Sequence, residues 1–217
     1  MAGTEAHGIA RPRGEANKRR ILNSALEVFV AHGFVGTSID QIAAAASASK
    51  QTIYNYFTDK EGLFTALILE VGDAIDDPFE PMIDAMRTAS DAHAAVRMLA
   101  NQFTRSIMNA RVQQIRRLVI AEAARFPDLA RLYWERGFER VLNSMTDCLE
   151  VLVERGVLAI PAPHTSAQHL AGMLLWIPSN RVMFLGEIDS PDDGAPDAFI
   201  EAGVDAFVSA HRPRSLA

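Results

Sequence analysis

Polar side chains suited to recognising another molecule are concentrated between Ser38 and Lys60. The segment Ser49–Tyr56 alone carries lysine, glutamine, asparagine, threonine and two tyrosines. Lysine and glutamine match the major-groove edges of guanine and adenine, whereas threonine and tyrosine hydroxyls bind phosphates. These residue types predict that the segment binds double-stranded DNA.

Two short helices joined by a tight turn would present this segment. Ser38 with Gln41, or Thr37 with Asp40, forms the reciprocal pair that caps the start of a helix. Ser49 is a suitable N-cap for the second helix, which follows a turn of small residues. A short helix, a small-residue turn and a second polar helix form the pattern of a helix-turn-helix, whose second helix enters the major groove.

The second helix is predicted to have one packed face and one reading face. Ile53 and Phe57 are four residues apart, so both should point inward. The side chains left outward are those of Lys50, Gln51, Tyr54 and Asn55. The alternative is a solvated polar face with ordinary aromatic packing. An exposed Tyr-Asn-Tyr sequence beside a lysine, in so short a helix, favours DNA binding.

A longer amphipathic helix is predicted over residues 15–32. Its apolar residues follow the three- and four-residue spacing of one helix face; they are Leu22, Ala25, Leu26 and Phe29. Gly33 is predicted to end the helix, because glycine readily adopts the positive φ found after helix C-termini. Phe34 is predicted to fill the small core. Three cations near the helix start oppose its dipole, which suggests that they bind a phosphate; they are Lys18, Arg19 and Arg20.

The net charge of -6 is unevenly distributed. Residues 1–60 contain seven Lys and Arg against five Asp and Glu, a balance of +2, and the remaining residues contain 14 against 22, a balance of -8. Attraction to phosphates depends on the local potential rather than on the total charge. The distribution fits an N-terminal DNA-binding module on an acidic body, although many acidic proteins are uneven in this way.

Residues 15–64 resemble the DNA-binding domain of the TetR family of bacterial transcriptional regulators. The residues that carry the resemblance are Ile21, Leu22, Ala25, Phe29, Gly33, Phe34, Thr37, Ser38, Ile39, Ile42, Ala43, Ser49, Lys50, Thr52, Ile53, Tyr54, Tyr56, Phe57, Asp59, Lys60, Glu61 and Leu63. The resemblance implies a three-helix head and a fourth helix that begins near Asp59 and links the head to the body. The turn departs from the family pattern, since Ser47 replaces the common glycine and Ala48 replaces valine.

The resemblance also implies which side chains touch DNA. Tyr56 and Lys60 would hold backbone phosphates. Together with Gln51 from the outward face, the candidate DNA-contacting residues are Ser38, Ser49, Lys50, Thr52, Tyr54, Asn55, Tyr56 and Lys60.

The remainder of the chain is predicted to be helical, because its apolar residues recur with helical spacing and no run alternates with period two. The expected fold is all-α, with a disordered arm over 1–14, a helix-turn-helix domain over 15–58 and a helical regulatory and dimerisation domain over 59–217. The predicted helices of that last domain cover 59–71, 82–87, 91–109, 111–125, 128–155, 166–185 and 197–211.

The segment 118–135 is similar to the C-terminal domain of the AefR-like subgroup of the same family. The family forms a four-helix bundle across a two-fold axis from its last two long helices. The resemblance therefore implies a homodimer through helices 166–185 and 197–211.

Large apolar side chains in the body could line a pocket for a small apolar effector. The alternative for each of them is an ordinary place in the core. The candidate effector-binding residues are Phe103, Met108, Trp134, Trp176 and Arg181.

Other classes of function have no support in the sequence. The histidines and the single cysteine, Cys148, lack metal-ligand spacing, and nucleotide-binding and serine-hydrolase motifs are absent. We therefore expect no enzyme activity, metal or cofactor. Because neither a secretory signal nor a run of about 20 apolar residues is found, we expect a cytoplasmic protein without a membrane partner.

The expected function is that of a ligand-responsive transcriptional regulator, a repressor, which binds a pseudo-palindromic operator as a dimer through the helix Ser49–Tyr56. Two alternatives remain open. The chain could be an architectural DNA-binding protein without an effector, or a helical protein-interaction module.

Overall fold

The computed structural model describes residues 10–74, 79–186 and 195–213, of which residues 10–13, 71–74, 80 and 195–196 are described by their backbone. All regular elements within these ranges are helices, which confirms the predicted all-α fold. The first nine residues of the predicted arm lie outside the described residues, as do parts of the predicted loops at 73–81 and 189–196. The helices are α1 (Ala10–Gly36), α2 (Ile39–Ala45), α3 (Lys50–Tyr56), α4 (Lys60–Ala74), α5 (Glu80–Thr88), α6 (Ala92–Ile107), α7 (Ala110–Glu122), α8 (Pro127–Tyr133), α9 (Arg140–Glu154), α10 (Pro163–Leu185) and α11 (Ala195–Ala210), with a π-helical segment at Trp134–Glu139 between α8 and α9.

The chain divides into two compact units. The head unit contains residues 1–71 and 115–131, and the body unit contains residues 72–114 and 132–217. The head unit is thus larger than the helix-turn-helix domain predicted over 15–58, because most of α4 and residues from α7 and α8 pack with it.

Helix α1 begins at Ala10, inside the segment predicted to be a disordered arm. Its third residue is Pro12, and proline is tolerated in the first turn, where backbone N–H groups lack helical partners. The four predicted inward residues are all buried. The helix breaks at Gly33, where φ is 69° and ψ is 175°, so glycine is required at the position where the sequence predicted the helix to end.

The turn between α2 and α3 is a Schellman motif. The Ser47 N–H donates to the Ala44 carbonyl at 3.2 Å, and the Ala48 N–H donates to the Ala43 carbonyl at 2.9 Å. This arrangement requires a positive φ after the helix cap, a position usually held by glycine. Ser47, which replaces the family's common glycine, adopts a φ of 46° there.

Arg20 supports the same turn from α1. Its guanidinium donates to the Ala46 carbonyl at 2.7 Å and to the Ser47 carbonyl at 3.4 Å. Arg20 therefore serves a group outside its own helix, here a turn, and phosphate contacts by Lys18, Arg19 and Arg20 remain predictions. The charge of Arg20 satisfies carbonyls at the C-terminal end of α2, where a cation is favourable.

Four phenylalanines form the aromatic core of the head unit. Phe34 contacts the ring of Phe29 at 5.9 Å between centroids, that of Phe64 at 5.1 Å and that of Phe126 at 4.8 Å. Phe64 also lies 5.3 Å from Phe126. Edge-to-face and offset pairs at these distances stabilise a core beyond simple burial. Phe34 therefore fills the head core as predicted, and it does so against an element some ninety residues later in the chain.

The body unit is built around a separate hydrophobic core. Helix α6 contributes the stripe that its spacing predicts, with Val96, Leu99, Phe103 and Ile107 all buried. Helices α9, α10 and α11 complete the core. The helical spacing in α11 predicts an inward stripe of Phe199, Gly203, Ala206 and Phe207, of which only Phe207 is buried. The buried stripe is displaced: it consists of Ile200, Val204, Phe207 and Val208. These four residues share the face of α11 that packs on α6 and α10.

The predicted helix 128–155 is one helical run with a change of pitch. Its segment Trp134–Glu139 is π-helical, and Gly137 within it is buried. The ring of Trp134 stacks on Phe138 at 4.8 Å between centroids. Among the described helices, none is sufficiently long and apolar to cross a membrane.

Replacing Ser47 by glycine should stabilise the helix-turn-helix. A left-handed conformation costs a non-glycine residue about 1–2 kcal/mol, partly offset by the greater unfolded-state entropy of glycine. We expect Ser47→Gly to slow hydrogen exchange of the Ala48 amide by about two- to fivefold, in a comparison by NMR. Ser47→Ala, which keeps a Cβ, is the matched control and should not slow it. Equal exchange in the glycine variant and the native chain would contradict the strain at this turn.

Candidate nucleic-acid interface

Helix α3 is held against the head by its apolar face. Ile53 is fully buried and Phe57 is 5% exposed, so both point inward as predicted. The Ser49 hydroxyl accepts a hydrogen bond from the Thr52 N–H at 3.0 Å, which caps the helix start. The same two residues join their hydroxyls at 2.8 Å. The helix is therefore fixed at its N-terminus and along one face.

The opposite face of α3 presents the four predicted readers. Lys50, Gln51, Tyr54 and Asn55 are exposed, and Tyr54 remains 47% exposed despite its large ring. The Gln51 side-chain amide donates to the Asn55 side-chain carbonyl at 3.1 Å. This bond aligns two amide groups along the face, and amides are suited to adenine edges.

Lys50 forms an ion pair with Asp40, a residue of α2. The Lys50 ammonium lies 2.5 Å from the Asp40 carboxylate, and both side chains are more than half exposed. The sequence suggested Asp40 as a capping residue with Thr37, but that alternative is wrong. The cap is formed by Ser38 and Gln41, the other predicted pair. The carboxylate of Asp40 therefore belongs to the face that α2 and α3 share.

The hydroxyl of Ser38 already takes part in that cap. It accepts from the Gln41 N–H at 3.2 Å and lies 3.0 Å from the Gln41 side-chain oxygen. Tyr56 is 36% exposed at the end of α3. Its hydroxyl lies close to Gly14 of α1, since a Cβ added at Gly14 would be 3.8 Å from it. DNA contacts by Ser38, Ser49, Thr52 and Tyr56 remain predictions.

Lys60 is turned toward the head rather than toward solvent. Its ammonium donates to the carbonyls of Phe34 and Thr37, both at 2.8 Å, and lies 4.4 Å from the centre of the Phe34 ring. An ammonium has three N–H groups, so one remains for the predicted phosphate. The structure thus adds a positioning role: Lys60 fixes the segment that leads into α2.

Comparisons with known proteins identify the two parts of the chain. Residues 21–67 match the model of the bacterial regulatory proteins of the tetR family. Residues 94–213, more than half of the chain, match the C-terminal domain of AefR-like transcriptional repressors. The chain belongs to the TetR family. It is a transcriptional regulator with a DNA-binding helix-turn-helix, and the predicted AefR-like subgroup is confirmed.

Individual TetR-family proteins resemble the chain over most of its length. It is 29% identical to the transcriptional repressor SCO4008 of Streptomyces coelicolor over 200 residues, which cover 87% of this chain and 93% of that protein. A TetR-family regulator from Mesorhizobium loti has a solved structure with a TM-score of 0.81 and 36% identity, covering 92% of this chain and 98% of the other. The flavonoid-responsive regulator FrrA superposes with a TM-score of 0.67 at 27% identity, covering 93% and 100%.

The sequence did not predict the junction between Phe34 and Glu122, which lies outside the helix-turn-helix of this TetR-family chain. The Phe34 N–H donates to the Glu122 carboxylate at 3.1 Å, directly after the turn at Gly33. Arg125 lies 3.6 Å from the same carboxylate. Phe34 and Glu122 are 88 residues apart, and local spacing carries no signal for such a pair. Glu122 is therefore both ion-paired and hydrogen-bonded to a distant backbone N–H.

The predicted effector-binding residues do not form one cluster in this structure. Phe103 is fully buried in the body core, and Met108 is partly buried against that core. The other three are exposed: Trp134 by 54%, Trp176 by 70%, and Arg181. Their role in binding an effector remains a prediction.

Removal of the Glu122 carboxylate should loosen the junction at Phe34. Glu122→Ala leaves a partly buried N–H without its acceptor, at a cost of about 1–2 kcal/mol in the stability of the head unit. Glu122→Gln keeps an oxygen acceptor, so the head unit should lose less stability in this variant than in Glu122→Ala. Hydrogen exchange at the Phe34 amide measures both, with Glu135→Ala as an exposed control. Unchanged exchange in Glu122→Ala would show that this bond does not stabilise the junction.

Proposed function

We propose that this TetR-family chain is a ligand-responsive repressor that binds a pseudo-palindromic operator as a homodimer through Ser49–Tyr56. The observation that carries the proposal is the two-sided construction of α3. Ile53 and Phe57 bury one face, and the opposite face leaves a polar, partly aromatic surface in solvent. Such a helix can enter a major groove without giving up packing.

Repression, rather than activation, is supported by the relatives. The C-terminal family model is that of AefR-like repressors, and SCO4008, which resembles the chain over nearly its full length, is named a repressor. A dimer bound across an operator represses by occupying the site.

Dimerisation through α10 and α11 is supported by the side chains they expose. Helix α10 buries Leu170, Leu174 and Leu175 in the body core, yet it carries further large apolar residues on its exposed surface. Soluble monomers rarely expose such a patch, and TetR-family regulators bind DNA as dimers. The exposed apolar residues of the two helices are Met173, Trp176, Ile177, Phe184, Leu185 and Phe199.

The effector class is proposed from one relative and from the aromatic side chains of the body unit. FrrA responds to flavonoids, which are flat aromatic molecules. A ligand alters operator binding only insofar as it binds two conformations of the dimer with different affinity. A flavonoid panel added to the operator-binding assay tests this point. Unchanged operator affinity across the panel and across aliphatic compounds of matched size would favour the architectural alternative.

Selection of bound sequences from random DNA tests the operator and its symmetry. We expect two inverted half-sites whose centres are roughly 34 Å apart or at a longer spacing in phase with the DNA helix.

The affinity for the selected operator tests the role of Tyr54. Tyr54→Ala should lower that affinity by about tenfold, because one side chain of the reading face is lost.

The control for Tyr54→Ala is Glu27→Gln, on an exposed position of α1, which should bind the operator at least as tightly as the native chain. If the native chain bound DNA without selecting a sequence, the result would favour an architectural DNA-binding protein. If it bound no DNA even at low salt, the result would favour a protein-interaction module.

A charge within the exposed patch should separate the subunits. Phe184 is 82% exposed, and Phe184→Asp would bury an uncompensated carboxylate in the proposed interface. We expect the native chain to sediment at twice its mass of 23.7 kDa and the variant to sediment as a monomer. Met98→Asp, at an exposed position of α6, should remain dimeric. A dimeric Phe184→Asp would place the interface elsewhere.

A further inference from the structure

One charged pair lies on the DNA-facing side of the helix-turn-helix. Asp40 of α2 and Lys50 of α3 are in direct contact, although they belong to different helices. A carboxylate beside a DNA-binding surface repels phosphates, so its presence there requires an explanation. Ser38 and Gln41 cap α2 without it. Asp40 does complement the helix dipole in the first turn of α2, but that effect does not require its contact with Lys50.

We propose that Asp40 is a positioning residue that aims the Lys50 ammonium at a guanine in each operator half-site. The inference rests on the proposed function, since it assigns a base to a reader of the same helix. It goes beyond that function by making an acidic residue responsible for part of the sequence specificity.

The hydrogen-bonding capacity of Lys50 fits this role. An ammonium has three N–H donors, and Asp40 takes one of them, which leaves two. Guanine offers two neighbouring acceptors in the major groove, O6 and N7. Lys50 can therefore bind guanine without leaving Asp40, and the ion pair spares part of the entropy cost of ordering a long side chain on binding.

The same pair weakens binding to other sequences. A free lysine contacts the phosphates of any DNA, but a phosphate that approaches Lys50 is repelled by the Asp40 carboxylate beside it, whereas the neutral edge of guanine is not. An exposed ion pair is worth enough to change affinity by about two- to fivefold. Asp40 thus lowers non-specific affinity while it keeps the guanine contact, and both effects increase the ratio of specific to non-specific binding.

A double-mutant cycle on the full-length chain separates this role from simple repulsion. The variants are Asp40→Asn, Lys50→Met and the double variant, with Glu27→Gln as a control that removes an exposed carboxylate from α1. Each is measured for its base preferences by selection from random DNA. Each is also measured for its affinity to a scrambled duplex at several salt concentrations.

We expect Asp40→Asn and Lys50→Met to relax the same operator position from guanine to any base, by at least fivefold in relative preference. Asp40→Asn should also bind scrambled DNA about two- to fivefold more tightly. Its log–log salt slope should be steeper by about 0.9, the contribution of one added phosphate contact. In the Lys50→Met background, Asp40→Asn should change neither the affinity for scrambled DNA nor the salt slope.

Two outcomes would overturn the proposal. One is an unchanged guanine preference in Asp40→Asn. The other is an effect of equal size with and without Lys50, or in Glu27→Gln, which would indicate general charge repulsion.

Lys50→Met provides a second route should Asp40→Asn destabilise α2. It should lose the guanine preference yet leave the salt slope on scrambled DNA unchanged, and a shallower slope would contradict the pairing. Failure of the native chain to select any sequence would instead overturn the proposed function.

Discussion

The arrangement of the head depends on the backbone and ring of Phe34. Its N–H is bound by Glu122, its carbonyl by Lys60, and its ring packs against Phe29, Phe64 and Phe126. Gly33 makes this possible, because its positive φ breaks the helix directly before Phe34, whose N–H then donates to Glu122. Satisfied buried polar groups and close aromatic packing together fix where α2 begins. The position of α3, and hence of its reading face, follows from α2 through the Schellman turn.

The elements that hold Phe34 lie on the three helices that the two units share. The chain passes between the head and body units within three helices, α4, α7 and α8. Lys60 lies at the start of α4, Glu122 at the end of α7, and Phe126 directly before α8. Helices are stiff over such lengths, so a displacement of any of these helices acts on groups that touch Phe34.

Local patterns in the sequence predicted the parts of the fold that depend on local chemistry. The spacing of Ile53 and Phe57 indicated the packed face of α3, and Gly33 indicated a position of positive φ. The effects of distant residues were not predictable from one sequence. Glu122, Arg20 and Lys60 each bind backbone groups more than twenty residues away, and no periodicity indicates which carbonyl or N–H a long charged side chain will reach. The stripe on α11 was displaced for a related reason: its apolar residues fit more than one face, and packing on α6 and α10 selected between them.

These distant bonds change the electrostatic argument for DNA binding. The tally of seven cations against five acids in residues 1–60 treats every charge as available to phosphates. The structure engages Arg20 with a turn, Lys60 with two carbonyls and Lys50 with Asp40, so these three offer fewer N–H groups to DNA than the tally implies. Non-specific affinity arises almost entirely from phosphate contacts. The head should therefore bind random DNA less tightly than the tally alone implies, because three of its seven cations already donate N–H groups to the protein itself.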